Sequence, residues 1–321
     1  VAEVVDHSAL YWSLLSEFNT PNDYPSRRPF LAHYTSIETA FNILQTKQVL
    51  MGNPFLMNDR NEARFGLDQA LKLIKMNVKI DDTISSPTQR KIFIESFESF
   101  VDHFQYADYM NLFVFCCSEH AEGEENGKLS MWRGYGGNGK GAAIVFDTRN
   151  LDTATPSPFL IIKVRYMSDE GRINWIKNKI LEFCNYAKGK IFSDLEMHTL
   201  AFFLFQAIKI FSITSKHYGF EEENEWRVIY LDDRDDLNLK GQRQNHIITS
   251  KGLEPRLIYR FSDIKNSQYQ EILAEELIHK IILGPSSEGH FALETFKRVL
   301  DRQGFANIRN RVVSSSIPFR A

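Results

Sequence analysis

The stretch from Asp169 to Tyr218 limits the fold more than any other part of this chain. Its pattern is largely helical, yet it lies between two segments that read as strands. Trp175, Ile180, Phe183, Leu200, Phe203, Leu204, Ile208 and Phe211 recur at helical intervals and mark a core face. Phe159–Met167 comes before it and Trp226–Leu231 after it, both short, apolar and rich in β-branched and aromatic residues. A helical block of that size between strands does not fit the regular alternation of a doubly wound fold. It predicts an α+β protein with a mainly antiparallel sheet and a large helical insertion.

The rest of the chain fits this reading. An opening helix over about Asp6–Phe18 leads through a loop, Asn19-Thr-Pro-Asn-Asp-Tyr-Pro25, to a short strand carrying His33. A helix follows from Ser36 to about Thr46. After an irregular surface loop expected over Met51–Asp59, two amphipathic helices are expected near Glu62–Met76 and Pro87–Tyr106. Further strands are expected at Asn111–Ser118, Ala142–Asp147, His246–Ser250, Leu257–Phe261 and Ile281–Leu283, with helices near Lys128–Tyr135, Ser267–His279 and His290–Gln303. This gives one domain over residues 1–321, with helical insertions at about 60–108 and 169–218.

With 25 Phe but only 17 Gly and 10 Pro, the 321 residues can build a large core and carry no sign of repeats or low complexity. The net charge of −3 and the lack of a long basic block argue against a dedicated nucleic-acid binder; Lys297, Arg298, Arg302, Arg309 and Arg311 form only a local basic tract. Of three cysteines, Cys116 and Cys117 are adjacent in an apolar strand, so a disulfide framework is excluded and a reducing cytoplasm is expected. No signal peptide is recognisable and no apolar run reads as membrane-spanning, so no membrane partner is expected.

Gly134-Tyr-Gly-Gly-Asn-Gly-Lys-Gly141 comes close to two phosphate-loop patterns. Both need a strand before the loop and a helix after it, and here the order is reversed, so a turn is the better reading. The scattered histidines and the absence of paired Cys-x-x-Cys argue against zinc, and no Gly-x-Ser-x-Gly elbow occurs.

Two distant segments carry the candidate chemistry: Leu31-Ala-His-Tyr-Thr-Ser36 and Glu221-Glu-Glu-Asn-Glu-Trp-Arg227. Thr35 and Glu38 have capping-box spacing, so a helix should start beside His33 and offer backbone N–H groups to an anion such as a nucleotide phosphate. Glu223 and Glu225 sit at the entry to a strand. Residues two apart on a strand point the same way, so both carboxylates are expected to face one cavity shared with His33. Glu221 and Glu222 read as a solvated acidic face, and Arg227 as a structural partner for a neighbouring acid. The segment Ser130-Met-Trp-Arg-Gly-Tyr135 is expected to border the same cleft, unless Met131 and Trp132 are ordinary core.

The chain resembles the bacterial family called domain of unknown function 2971 (DUF2971). The resemblance rests on His33-Tyr34-Thr35-Ser36, Asn58-Asp59 with Glu62, Cys117-Ser118, Met131-Trp132 with Tyr135, Gly141 with Phe146-Asp147, Glu223-x-Glu225-Trp226-Arg227, and Ser316-Ile-Pro-Phe-Arg320. A strand-end His-x-Thr, a following helix and a late strand-borne Glu also look, more distantly, like the ADP-ribosyltransferase superfamily. That second resemblance implies a split sheet of ADP-ribosyltransferase type and NAD as substrate, with no metal. It implies that His33 contacts a ribose hydroxyl and Glu225 or Glu223 holds another. Trp132 or Tyr135 would stack on nicotinamide, with Tyr34, Thr35 and Ser130 beside the ligand.

The expectation that follows is an NAD-consuming enzyme, a toxin or defence effector that hydrolyses NAD or modifies a protein or nucleic acid. The rival readings are a non-catalytic nucleotide- or nucleic-acid-binding sensor and a nuclease or nucleotide hydrolase.

Overall fold

The structure is a computed structural model. It describes residues 6–18, 30–57, 60–76, 78–84, 86–106, 108–152, 157–236, 238–249, 252–266, 268, 270–286 and 289–319, without the side chains of 60–63, 78 and 79. The loop expected at 19–25 lies outside these residues, as do Asn58, Asp59, the Glu62 side chain and Arg320. The chain divides into two compact units, one formed by 1–20, 53–112 and 164–220, the other by 21–52, 113–163 and 221–321.

The first unit is helical. Its long elements are Ser8–Leu15, Arg60–Lys75, Pro87–Tyr106, Asp169–Ala187 and Asp194–Thr214. The last begins with a full capping box between Ser193 and Glu196, then runs into solid core, with Leu204 through Thr214 all buried. By length and composition alone this helix could cross a membrane, contrary to the reading that no apolar run approaches that length. Most of its apolar span is buried in the protein, packed against Pro87–Tyr106 and Arg60–Lys75. Trp175 stacks on Phe211 at 3.9 Å and Phe93 on Phe183 at 4.4 Å, so aromatic rings pack face to face in this core.

Glu17 ties this unit together. Its carboxylate accepts from Lys179 Nζ at 2.9 Å, Arg165 Nη1 at 2.7 Å and Trp175 Nε1 at 3.0 Å. Partial burial pushes its pKa up, but these three donors outweigh burial and hold it at about 2, below the ordinary value of 4.5. A depressed folded-state pKa gives stability that is complete above the unfolded value and fades as pH falls through the folded one. Glu17→Gln should therefore flatten the loss of stability between about pH 4.5 and 2, as read by thermal melts across that range. An unchanged acid limb would show that Glu17 does not contribute to it.

The twelve strands among the described residues are, in chain order, β1 (Phe30–Thr35), β2 (Gln48–Gly52), β3 (Phe113–His120), β4 (Ala142–Asp147), β5 (Phe159–Lys163), β6 (Arg165–Met167), β7 (Ser215–His217), β8 (Glu225–Tyr230), β9 (Gln244–Thr249), β10 (Gly252–Arg260), β11 (Ile278–Leu283) and β12 (Val312–Ser314). The segment expected as one strand over Phe159–Met167 breaks at Val164. β5 pairs with β8 in the second unit, whereas β6 pairs in parallel with β7 in the first.

Apart from β6 and β7, the remaining ten strands form the sheet of the second unit: eight in the order β12-β11-β4-β1-β3-β2-β10-β9, with β8 branching off β3 and β5 pairing with β8. All its pairings are antiparallel except β11 with β12. The fold is thus mixed α/β with a mainly antiparallel sheet, as expected. The sheet forks at β3. One edge of β3 pairs with β8 over Phe113–Ser118; on the other edge only Ser118–His120 meets β1 and only Val114 meets β2.

Strand alternation gives this sheet two distinct faces. Leu31, Phe113, Phe115, Cys117, Ile144, Phe146, Trp226, Val228 and Tyr230 line one and pack into a large apolar cluster. Phe30, Ala32, Tyr34, Ala143, Val145 and Ile282 line the other and pack with Met131 and Trp132. Two expectations fail locally. Met51-Gly-Asn-Pro-Phe55 is buried rather than a surface loop, because Gln48–Gly52 is a strand. Among the described residues of the helix expected over 267–279, helix forms at Ala274–Leu277; Lys265 and Asn266 before it bridge to Glu271 and Leu151, and Ile278 already belongs to β11.

Candidate functional site

His33 lies where β1 leaves β3. Its Nδ1 donates to the Cys116 carbonyl at 2.9 Å, filling the gap in the ladder, and its ring packs on Phe115 at 4.4 Å. A carbonyl can only accept, so the proton is on Nδ1. Burial holds the imidazole pKa below its ordinary value and keeps the ring neutral, against a smaller opposing pull from the Cys116 bond. The helix after it, Ile37–Thr46, is capped by Ser36 and not Thr35, the Ser36 hydroxyl accepting from the Thr39 N–H at 3.1 Å. Thr35 stays in β1.

Ala32, Ser118 and Glu225 are directly paired across β1, β3 and β8, so they share a face. His33 is one residue on from Ala32 and belongs to the opposite face. The structure therefore does not bring His33 and Glu225 together: their strands lie on the two edges of β3 and their side chains on its two sides. Glu225 is 5% exposed and Arg227 7%; the guanidinium holds the carboxylate through Nε at 2.8 Å and Nη2 at 3.1 Å. Arg227 thus has the structural pairing expected of it.

Glu223 is not on the strand. It ends a 3-10 turn over Tyr218–Glu223, and Asn224, at φ 43°, breaks the two-residue alternation before β8 begins. Its carboxylate instead accepts from the Tyr135 hydroxyl at 2.7 Å, and its carbonyl accepts from Ser118 Oγ at 2.6 Å. Lys128 Nζ donates to the same Ser118 oxygen at 3.2 Å, and the Lys128 N–H donates to the Tyr34 hydroxyl at 3.0 Å. Tyr34, Ser118, Lys128, Tyr135 and Glu223 thus form one connected group on the side of the sheet that carries Ala32 and Glu225.

The aromatic segment divides. Trp132 is fully buried, edge-on to Tyr34 at 4.9 Å, with Nε1 donating to the Asn126 carbonyl at 2.8 Å; it is core. Tyr135 is 42% exposed and presents its ring. Ser130 is half-buried on the helix Leu129–Gly134. Burial, mainly, raises the Tyr34 phenol to about 12, so it stays a neutral hydroxyl. The glycine-rich loop closes on itself. The N–H groups of Gly136, Gly139, Lys140 and Gly141 donate to the Met131, Trp132, Gly137 and Gly136 carbonyls, which supports its reading as a turn.

Sequence reasoning passed over Ser118 and Lys128 as site residues, and Asn126 altogether. Asn126 clamps the C-terminal segment: its carbonyl accepts from Ser315 Oγ, and its Oδ1 from the Ser316 N–H and hydroxyl, each at 2.7 Å. The available signal was a polar Ser118 near the end of an apolar strand and a lone Lys128 just before a helix. Among the described residues no group of three His, Cys, Asp or Glu side chains is placed to hold a metal ion.

A family model described as "Protein of unknown function (DUF2971)" matches residues 131–228. The match supports the DUF2971 family and spans Tyr135, Gly141 and the Glu223–Arg227 segment. No curated protein and no solved structure matches the chain.

Proposed function

We propose that this protein is an NAD-consuming enzyme of ADP-ribosyltransferase-like type, whose nucleotide lies against the Tyr135–Glu223 pair rather than between His33 and Glu225. The observation carrying this reading is the 2.7 Å bond from the Tyr135 hydroxyl to Glu223: it sets a half-buried carboxylate beside an exposed aromatic ring. Planar leaving groups are held by aromatic faces and sugar hydroxyls by carboxylates. When the nicotinamide–ribose bond breaks, nicotinamide leaves with the bonding electrons and positive charge develops at the sugar carbon. Glu223 would oppose that charge, after which water or an acceptor nucleophile attacks and loses its proton. Glu225 is already neutralised by Arg227, so it is the weaker candidate for this role.

Glu223→Gln keeps the shape and removes the charge, so nicotinamide release should fall about a hundredfold with binding largely kept. Tyr135→Ala should weaken binding and leave the melting temperature nearly unchanged, because the ring is exposed. The measurement is nicotinamide released from NAD by the full chain, with and without cell extract as a source of acceptors. Absence of release in both conditions would discard the enzyme. A second reading, a nucleotide-binding module without catalysis, is favoured by His33 being tied to a backbone carbonyl, and would then stand if nucleotide still binds.

A further inference from the structure

Lys128 is half-buried and yet lacks an acidic partner. Its ammonium makes one hydrogen bond, to the Ser118 hydroxyl, and among the described residues no carboxylate lies within ion-pair distance. Glu119, the acid that acts on it from further away, is already engaged by Lys163 at 2.7 Å and by Trp226 Nε1 at 2.9 Å. Lys179 in the first unit shows the usual arrangement, with Glu17 and Glu182 at 2.9 and 3.0 Å. A cation partly withdrawn from water, with no carboxylate at ion-pair distance and standing in a cluster of polar groups, is placed to take a negative charge from a ligand.

The neighbours say what kind of charge. Ser118 donates to the Glu223 carbonyl, so its hydroxyl has no proton left for a ligand. Glu223 carries a carboxylate that accepts from the Tyr135 hydroxyl, Lys128 carries an ammonium, and the Ser118 hydroxyl bonds to both residues without the two charges pairing. A ligand matching this face has hydroxyl groups at one end and an anion at the other. We infer that Lys128 binds a phosphate group of the ligand, so the site selects a sugar phosphate or nucleotide over an uncharged nucleoside. This rests on the reading above for the sugar end. Burial, mainly, holds the Lys128 pKa below its ordinary value, with Lys163 adding to the effect and Glu119 opposing it; an arriving phosphate would relieve the cost of that burial.

The test is calorimetric titration of the full chain with ADP-ribose, adenosine and inorganic pyrophosphate, using unmodified protein, Lys128→Met and Lys128→Arg. ADP-ribose should bind the unmodified protein. The Met variant should weaken it by roughly tenfold to a hundredfold, as expected for loss of a charged hydrogen bond, and the Arg variant should retain most of it. Adenosine should bind weakly and equally to all three. Independently of any variant, ADP-ribose affinity should fall with rising salt while that of adenosine does not. Equal ADP-ribose affinity in unmodified and Met proteins, or no binding of either anion to the unmodified protein, would overturn the inference. Pyrophosphate binding as tightly as ADP-ribose and lost in the Met variant would keep Lys128 as an anion site but refute the nucleotide. Intact, Lys128-dependent ADP-ribose binding without NAD cleavage would remove only the enzyme.

Discussion

Replacing Arg227 with Met should cost the protein about 3–5 kcal/mol of stability. The guanidinium grips Glu225 at two points, and both side chains are over nine-tenths buried. Removing the cation strips this buried carboxylate of its two-point guanidinium partner. The double variant Glu225→Leu/Arg227→Met removes both charges and should recover most of the loss, because buried pairs contribute little net stability over apolar side chains of similar volume. Urea titration of the single and double variants reads both numbers. A single-variant loss below about 1 kcal/mol would mean that water reaches the pair. The result also bears on function, since activity lost with Glu225 would then reflect folding and not chemistry.

Gly141→Ala should be comparably damaging, at about 3 kcal/mol or more. Gly141 stands where the turn after Trp132 enters β4. A Cβ built there would lie 2.1 Å from the Thr35 carbonyl oxygen and 2.8 Å from that of Gly136. Both obstacles are main chain, one at the end of β1 and one in the hydrogen-bonded turn, so neither can rotate aside as a side-chain tip would. The strain would fall on the end of β1 and on the Tyr135 turn together. Denaturant unfolding of Gly141→Ala is the check. A variant as stable as the parent would show that the two backbones can separate without loss.

Much of the fold was readable because its elements are strongly periodic or clearly bounded. Ala142–Asp147 and Pro87–Tyr106 form as expected to the residue. β2 was hidden because Gln48–Gly52 is too short to show alternation, and β12 because three residues gain strand character only from β11. The site was legible in part. Glu223, Tyr135 and Tyr34 are joined in one group on the side of the sheet that carries Glu225, but not by the strand alternation from which that side was argued, because Asn224 interrupts the strand and Glu223 lies in the turn before it. His33 and Glu225 could not be assigned to faces without the registers to β3, which depend on pairing across more than the local sequence. Lys128 lacked any pattern of its own, since an unpaired ammonium is visible only once its surroundings are known.

The forked strand also sets the order in which this protein can be made. β3 draws its partners from residues 30–35, 48–52 and 225–230, and β4 has one edge covered by β1 and the other only by β11 at 278–283. On an emerging chain β1, β3 and β4 can pair early, but the outer edge of β4 stays open while the helices of the other unit are being synthesised. Pairing between such distant segments is slow, and open apolar edges invite the wrong partner. The second unit can therefore close only after its last strands are made, and until then the open edge of β4 is its point of exposure to wrong pairing.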